Sequence, residues 1–112
     1  MAVEVYKPSA VTVSTTGTNS SSAIDVSQCT TGCVAITSSG MTGSATFIVE
    51  RSLDGTNFDD FPGPQSFTTS SNECNITDTL DFSGITHVRA RVTSANAAGS
   101  LSIRVVGKAE AR

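Results

Sequence analysis

Apolar and polar residues alternate in short runs along this chain, the period of half-buried β-strands and not of helices. Val11 and Val13 alternate with Thr12 and Ser14, Ile24 and Val26 flank Asp25, and Val34 and Ile36 flank Ala35. Further on, Phe47, Val49, Arg51 and Leu53 are predicted to share one strand face, and Thr46, Ile48, Glu50 and Ser52 the other. Shorter strands are predicted at Ser66–Thr69 and Asn75–Leu80, and two longer ones close the chain at about His87–Thr93 and Leu101–Gly107. Val88, Ala90 and Val92 point inward in the first of these, with Arg89, Arg91 and Thr93 outward. In the second, Leu101, Ile103 and Val105 point inward, with Ser102 and Arg104 outward. Val106 interrupts that outward polarity, which makes it a candidate partner contact.

The breaks between runs are turn chemistry: Thr16-Gly17-Thr18-Asn19, Ser38-Ser39-Gly40, Phe61-Pro62-Gly63-Pro64 and Ala95-Asn96-Ala97-Ala98-Gly99. Glycine accepts positive φ and proline presets φ, so such clusters end strands. About seven to nine short strands spaced this way predict an all-β fold, a single antiparallel β-sandwich of jelly-roll or immunoglobulin-like type. The chain of 112 residues is long enough for one domain with one core. Lys7-Pro8 precedes the first confident strand, so residues 1–9 are expected to form an extended N-terminal arm and residues 10–112 the sandwich. The arm carries Val3, Val5 and Tyr6, and its alternation suits strand addition to a neighbour's open edge.

Candidate chemistry is sparse. Ser52-Leu53-Asp54-Gly55-Thr56-Asn57-Phe58-Asp59-Asp60-Phe61 gathers three carboxylates and an amide around a glycine, as a metal loop would. Calcium requires six to eight converging oxygens, and Asp59 and Asp60, if extended, point to opposite faces. A hairpin turn asks for no more than Asp54-Gly55 supplies, and the stretch is read as that turn. Cys29, Cys33 and Cys74 with His87 have a zinc-compatible composition but lack a second paired motif. A Cys29–Cys33 disulfide is the other alternative, while free thiols, with Cys33 and Cys74 lining the core, are the expectation. His87, the single histidine, opens a strand and is read as a hydrogen-bonded strand-end residue. No catalytic constellation and no cofactor motif emerges, and a non-enzymatic role is expected.

Charged residues are 15% of the chain, and 17 Ser and 16 Thr stand where Lys and Glu usually would, against about 25% charge in an ordinary soluble domain. Hydroxyls solvate a surface yet repel neighbouring subunits less than charges do, which suits fixed assembly. A net charge of −3 with scattered arginines argues against a nucleic-acid partner. No run approaches the ~18 apolar residues of a membrane span, and MAVEVYKPSA lacks the pattern of a secretory signal. Membrane insertion and export by that route are therefore not expected.

The pairing of "ATFIVERSLDGTNFDDF" with "ITHVRARVTSANAAGSLSIRVVGK" resembles small β-sandwich structural proteins of tailed bacteriophages. In those a strand ends at Ser-x-Asp-Gly-Thr-Asn-aromatic, and a strand like "VRARVTS" precedes a short Gly-containing loop and a final alternating strand. Here these are Ser52 to Phe58, Val88 to Ser94 and Leu101 to Gly107. Such proteins are similar to capsid decoration (cement) proteins and to tail or head-fibre modules. The resemblance implies a virion protein assembled in the host cytoplasm, most specifically a decoration protein on the outer capsid surface. It also implies the major capsid protein or other virion proteins as partners, and a homo-oligomer with trimers favoured. A tail, neck or fibre component is the alternative in the same class. A secreted carbohydrate- or adhesion-binding module is the alternative from another class. The absence of Trp and the lone Tyr6 speak against that last one.

Overall fold

The computed structural model describes residues 3–110, and all side chains among them except those of Val3, Glu4, Tyr6, Pro64, Ala109 and Glu110. Ten strands form two antiparallel sheets packed face to face. The first sheet holds β1 (Val3–Tyr6), β2 (Val11–Ser14), β4 (Thr31–Ser39), β7 (Cys74–Ile76), β8 (Leu80–Asp81) and β10 (Ser100–Glu110). The second holds β3 (Ile24–Asp25), β5 (Ala45–Ser52), β6 (Phe58–Thr69) and β9 (His87–Ser94), in the order β3-β9-β5-β6. This is the predicted sandwich. The chain changes sheet at six of its nine strand-to-strand connections, and only β5 and β6 are consecutive strands that pair with each other.

The core is the set of inward faces predicted from alternation. Val34 and Ile36 of β4 and Leu101, Ile103 and Val105 of β10 come from the first sheet. Phe47 and Val49 of β5 and Val88, Ala90 and Val92 of β9 meet them from the second. Phe82 and Ile85, in the loop after β8, close one end, with Phe82 tilted against Phe61 at 6.4 Å between ring centroids. Each fully buried Val, Leu, Ile or Phe contributes roughly 1.5–3 kcal/mol.

Three expectations need correction. The first is the break at Phe61-Pro62-Gly63-Pro64, which lies inside β6. Glu50 pairs with Asp60 while the adjacent Val49 pairs with Gln65, so these four residues bulge out between neighbouring β5 positions. β6 is an edge strand, where a proline costs no ladder hydrogen bond, and the bulge turns Phe61 into the core.

The second concerns the N-terminal arm. Val3–Tyr6 is an edge strand of its own domain, pairing from Val3 with Glu110 to Tyr6 with Gly107. β2 continues along the same edge of β10, from Val11 with Ile103 to Ser14 with Ser100. Residues 7–10 stand against residues 104–106, one residue too many for a regular ladder, and Lys7-Pro8 falls in this bulge. The long free edge of β10 leaves backbone N–H and C=O groups that need partners, and the N-terminal segment supplies them.

The third is Leu53, which does not follow Phe47 and Val49 inward because β5 ends at Ser52. Its side chain is 72% exposed.

Gly32 of β4 marks a close approach between β4, β10 and the loop after β8. A Cβ there would lie 2.5 Å from Phe82 Cε2 and 2.7 Å from the Val106 carbonyl oxygen. Gly32→Ala is therefore expected to cost about 1–3 kcal/mol through overpacking, read as a lower urea midpoint with an unchanged denaturant slope. Unchanged stability would show that this end of the sandwich yields more readily than its packing implies.

Candidate interaction surface

The turn from Ser52 to Asn57 is built by its own side chains. Ser52 Oγ accepts from the N–H of Asp54 at 3.2 Å and of Gly55 at 2.9 Å, and donates to Asp54 Oδ1 at 2.9 Å. Asp54 Oδ1 accepts the N–H of Thr56 and of Asn57, each at 2.8 Å, while Oδ2 accepts from Asn57 Nδ2 at 2.8 Å. Donors from Asn57 and Thr56 stabilise the ionised carboxyl and hold Asp54 well below the usual carboxylate range. Gly55 takes φ +80°, and a Cβ there would stand 3.0 Å from the His87 ring. His87 sits at the start of β9 with Nδ1 2.8 Å from Thr86 Oγ1, the strand-end role predicted for it. The carboxylate of Asp54 is thus committed to the turn.

The cysteines are placed differently from expectation. All three thiols are free, but Cys29 is the buried one, Cys33 is half-buried and Cys74 is exposed. Cys29 precedes β4 and fills the space above Gly107, which Cys33 and Cys74 cannot reach because they project from the outer face of the first sheet. Burial pushes the Cys29 thiol up, so it behaves as a small apolar side chain.

The two outer faces of the sandwich differ in kind. On the second sheet, Glu50 of β5 is only 5% exposed and is gripped by Arg89 Nε at 2.9 Å and Arg91 Nε at 3.0 Å. Arg89 also lies over the Phe58 ring, 3.9 Å from its centroid. Glu50 pairs directly with Asp60 across the ladder, a like-charge juxtaposition that the two arginines offset. Arg89 and Arg91, predicted to point outward, cover their own sheet, and Ile48 and Ser52 are buried alongside Glu50.

The first sheet leaves apolar groups open. Its outer face is reconstructed from strand register, because residues directly opposite share a face. One row reads Arg104, Ala35, Ile76 across β10, β4 and β7, and the next reads Val106 and Cys33. Val5 stands opposite Lys108 one row further on. Val5 is 56% exposed, Ile76 63% and Val106 37%. Ala35 and Cys33 are small, so the middle of this face, between Ile76 on one side and Arg104 on the other, carries short, half-buried side chains. Val106 and Val5, two of the sequence-predicted contacts, lie together beside it. The side chains of the other two, Val3 and Tyr6, lie outside the described residues. Sequence reasoning missed Ile76, whose neighbours Asn75 and Thr77 marked a strand without indicating which face would be uncovered.

Leu53 projects at one end of the sandwich. It lines a cleft of about 420 Å³ together with Phe58, Asp59 and Ile85. Arg51 lies between this cleft and a second of about 350 Å³ bordered by Asp78 and Asp81.

No protein-family model matches the chain, and no curated protein matches it in sequence. Among solved structures the fold is similar to the crystal structure of the SPBc2 prophage-derived protein YomS, with a TM-score of 0.63. The likeness covers 97% of this chain and 96% of that one, at 12% sequence identity. At that identity it is a likeness of fold.

Gly55→Val should destabilise the domain by about 1–2 kcal/mol from the left-handed backbone alone, with the His87 contact adding to it; thermal unfolding reads the loss. Asp54 is depressed on folding, so its stabilisation is present above the unfolded value near 3.9 and is lost as pH falls through the lower folded value. Asp54→Asn should therefore flatten the decline in stability below about pH 4. An identical acid limb in wild type and variant, from urea titrations across pH, would show that the carboxylate does not hold the turn.

Proposed function

We propose that the chain is a non-enzymatic structural protein of a tailed-phage virion, and specifically a decoration protein that binds the outer capsid shell and stabilises the head. The observation that carries this reading is the open apolar strip on the outer face of the first sheet. The opposite face, by contrast, is sealed by its own arginines. A sheet face that keeps Val5, Val106 and Ile76 in contact with solvent is suited to burial against another protein. Similarity along the full chain to a prophage-derived protein supports the phage setting, as do the strand motifs around Ser52–Phe58 and Val88–Ser94.

In this reading the contribution is mechanical. The ribbon of β1 and the end of β10 brings Val5 and Val106 to the coat subunits. Burial across a junction between coat subunits then opposes their separation under genome pressure. The low density of charge lets such surfaces approach without much repulsion or desolvation cost.

Shells lacking the protein, incubated with purified wild type, should gain density at regular positions on the head by electron microscopy. Val5→Asp and Val106→Asp should each lower affinity for the shell at least about tenfold. Filled particles without the protein should release DNA at a lower temperature. Density confined to tail or neck, or full head occupancy by both variants, would defeat the decoration reading.

A further inference from the structure

β6 is an edge strand of the second sheet, and among the described residues it pairs with β5 alone. An edge strand directs the N–H and C=O of alternate residues into solvent, and proteins blunt such edges with charge, proline or a bulge. The first half of β6 has all three, in Asp59, Asp60, Pro62, Pro64 and the bulge around them. The second half has none. From Phe61 to Asn72 the chain carries no charged residue, and residues 65–69 run in regular register with residues 45–49 of β5. Ser66 and Thr68 are exposed, Gln65 and Phe67 are half-buried, and the buried Thr69 ends the open run. That end is fixed in place. Thr69 Oγ1 lies 3.3 Å from Ser38 Oγ and accepts from Asn75 Nδ2 at 3.0 Å, which ties β6 to β4 and β7. An edge ordered in advance loses little entropy when a strand is added to it.

The pairs on the covered edge of β6 show what its open edge can take. Phe67 stands opposite Phe47 with the ring centroids 5.4 Å apart, and Thr68 opposite Thr46 with the hydroxyls at 3.1 Å. We propose that β6 of a second copy of the chain pairs antiparallel with this edge, about a two-fold axis at Phe67. Phe67 then stands opposite its own counterpart, and Ser66 of each copy opposite Thr68 of the other. Aromatic again meets aromatic and hydroxyl meets hydroxyl, the pairs that β6 already makes with β5. The half-buried ring of Phe67 gains a cover, and no charge is set against another. The contact is isologous and uses one β6 from each copy, so association closes at two and joins the four-stranded sheets across the dimer. This differs from the trimer that the family resemblance implies. β6 lies on the β7 side of the molecule, whereas Val5 and Val106 lie on the β1–β10 side, so the dimer leaves them free. The inference is independent of the decoration reading.

A ladder this short makes a weak dimer, with a dissociation constant on the order of 10–100 μM. The test is sedimentation equilibrium on the purified full chain up to its solubility limit, with thermal melts to establish folding of each variant. Wild type should approach twice the monomer mass and no more. Ser66→Lys with Thr68→Lys in one chain should weaken this at least about tenfold, because like charges then face each other twice. Ser66→Asp with Thr68→Asp should do the same. An equimolar mixture of those two variants should form a one-to-one dimer, since each lysine then faces an aspartate. Ser66→Asp with Thr68→Lys in one chain should dimerise at least as well as wild type, an outcome that an in-register parallel pairing would reverse. On dilution of wild type, backbone amide NMR shifts should change at residues 65–68, and this readout decides the matter should a charged variant fail to fold. A wild type that stays monomeric or assembles as a trimer would overturn the proposal. So would a mixture that forms no dimer, or amide shifts in residues 65–68 that move only when coat shells are added.

Discussion

The first sheet depends on the two-sided pairing of β10. One edge of this strand is matched along its length by β4, from Ser100 with Ser39 to Lys108 with Thr31. The other edge is shared by β2 and β1. Its inward residues Leu101, Ile103 and Val105 are fully buried against the second sheet. A strand so enclosed joins segments more than a hundred residues apart, because β1 and β10 bring the two ends of the described chain together.

From that constraint follows the asymmetry between the two faces. The second sheet carries enough long side chains to cover itself. Arg89 and Arg91 bend over Glu50, Phe58 supplies a ring for Arg89, and the strip between them is dry enough to bury Ile48. The first sheet carries Ala, Cys, Thr and Ser in the corresponding middle positions of β4, which are too short to cover Ile76 or Val106. A strand built of short outward residues leaves a surface that is completed by another molecule. The few carboxylates of the protein are concentrated elsewhere: Asp54 is committed to its turn and Glu50 to its arginines.

Alternation alone determined the all-β class, the two-sheet packing and the inward sets Val88-Ala90-Val92 and Leu101-Ile103-Val105, because side-chain direction along a strand is a local property with period two. It also determined that Asp54-Gly55 turns the chain, since a carboxylate that bonds its own backbone and a glycine at positive φ require nothing distant. Which strands neighbour one another was decided in the tertiary structure, and with it every feature that depends on a neighbour. Cys29, and not Cys33 or Cys74, is the buried thiol because Gly107 leaves space above it. Phe61 enters the core because its strand bulges at an edge. Glu50, on the face opposite Phe47 and Val49, is buried because two arginines from the adjacent strand close over it. The partner for Val3–Tyr6 was likewise out of reach of local patterning, since an edge strand pairs with whichever free edge the fold brings alongside, and here that edge belongs to β10. Leu53 shows the limit most directly. Its place in the alternation put it on one face with Phe47 and Val49, but the strand ended one residue earlier and the turn carried it into solvent.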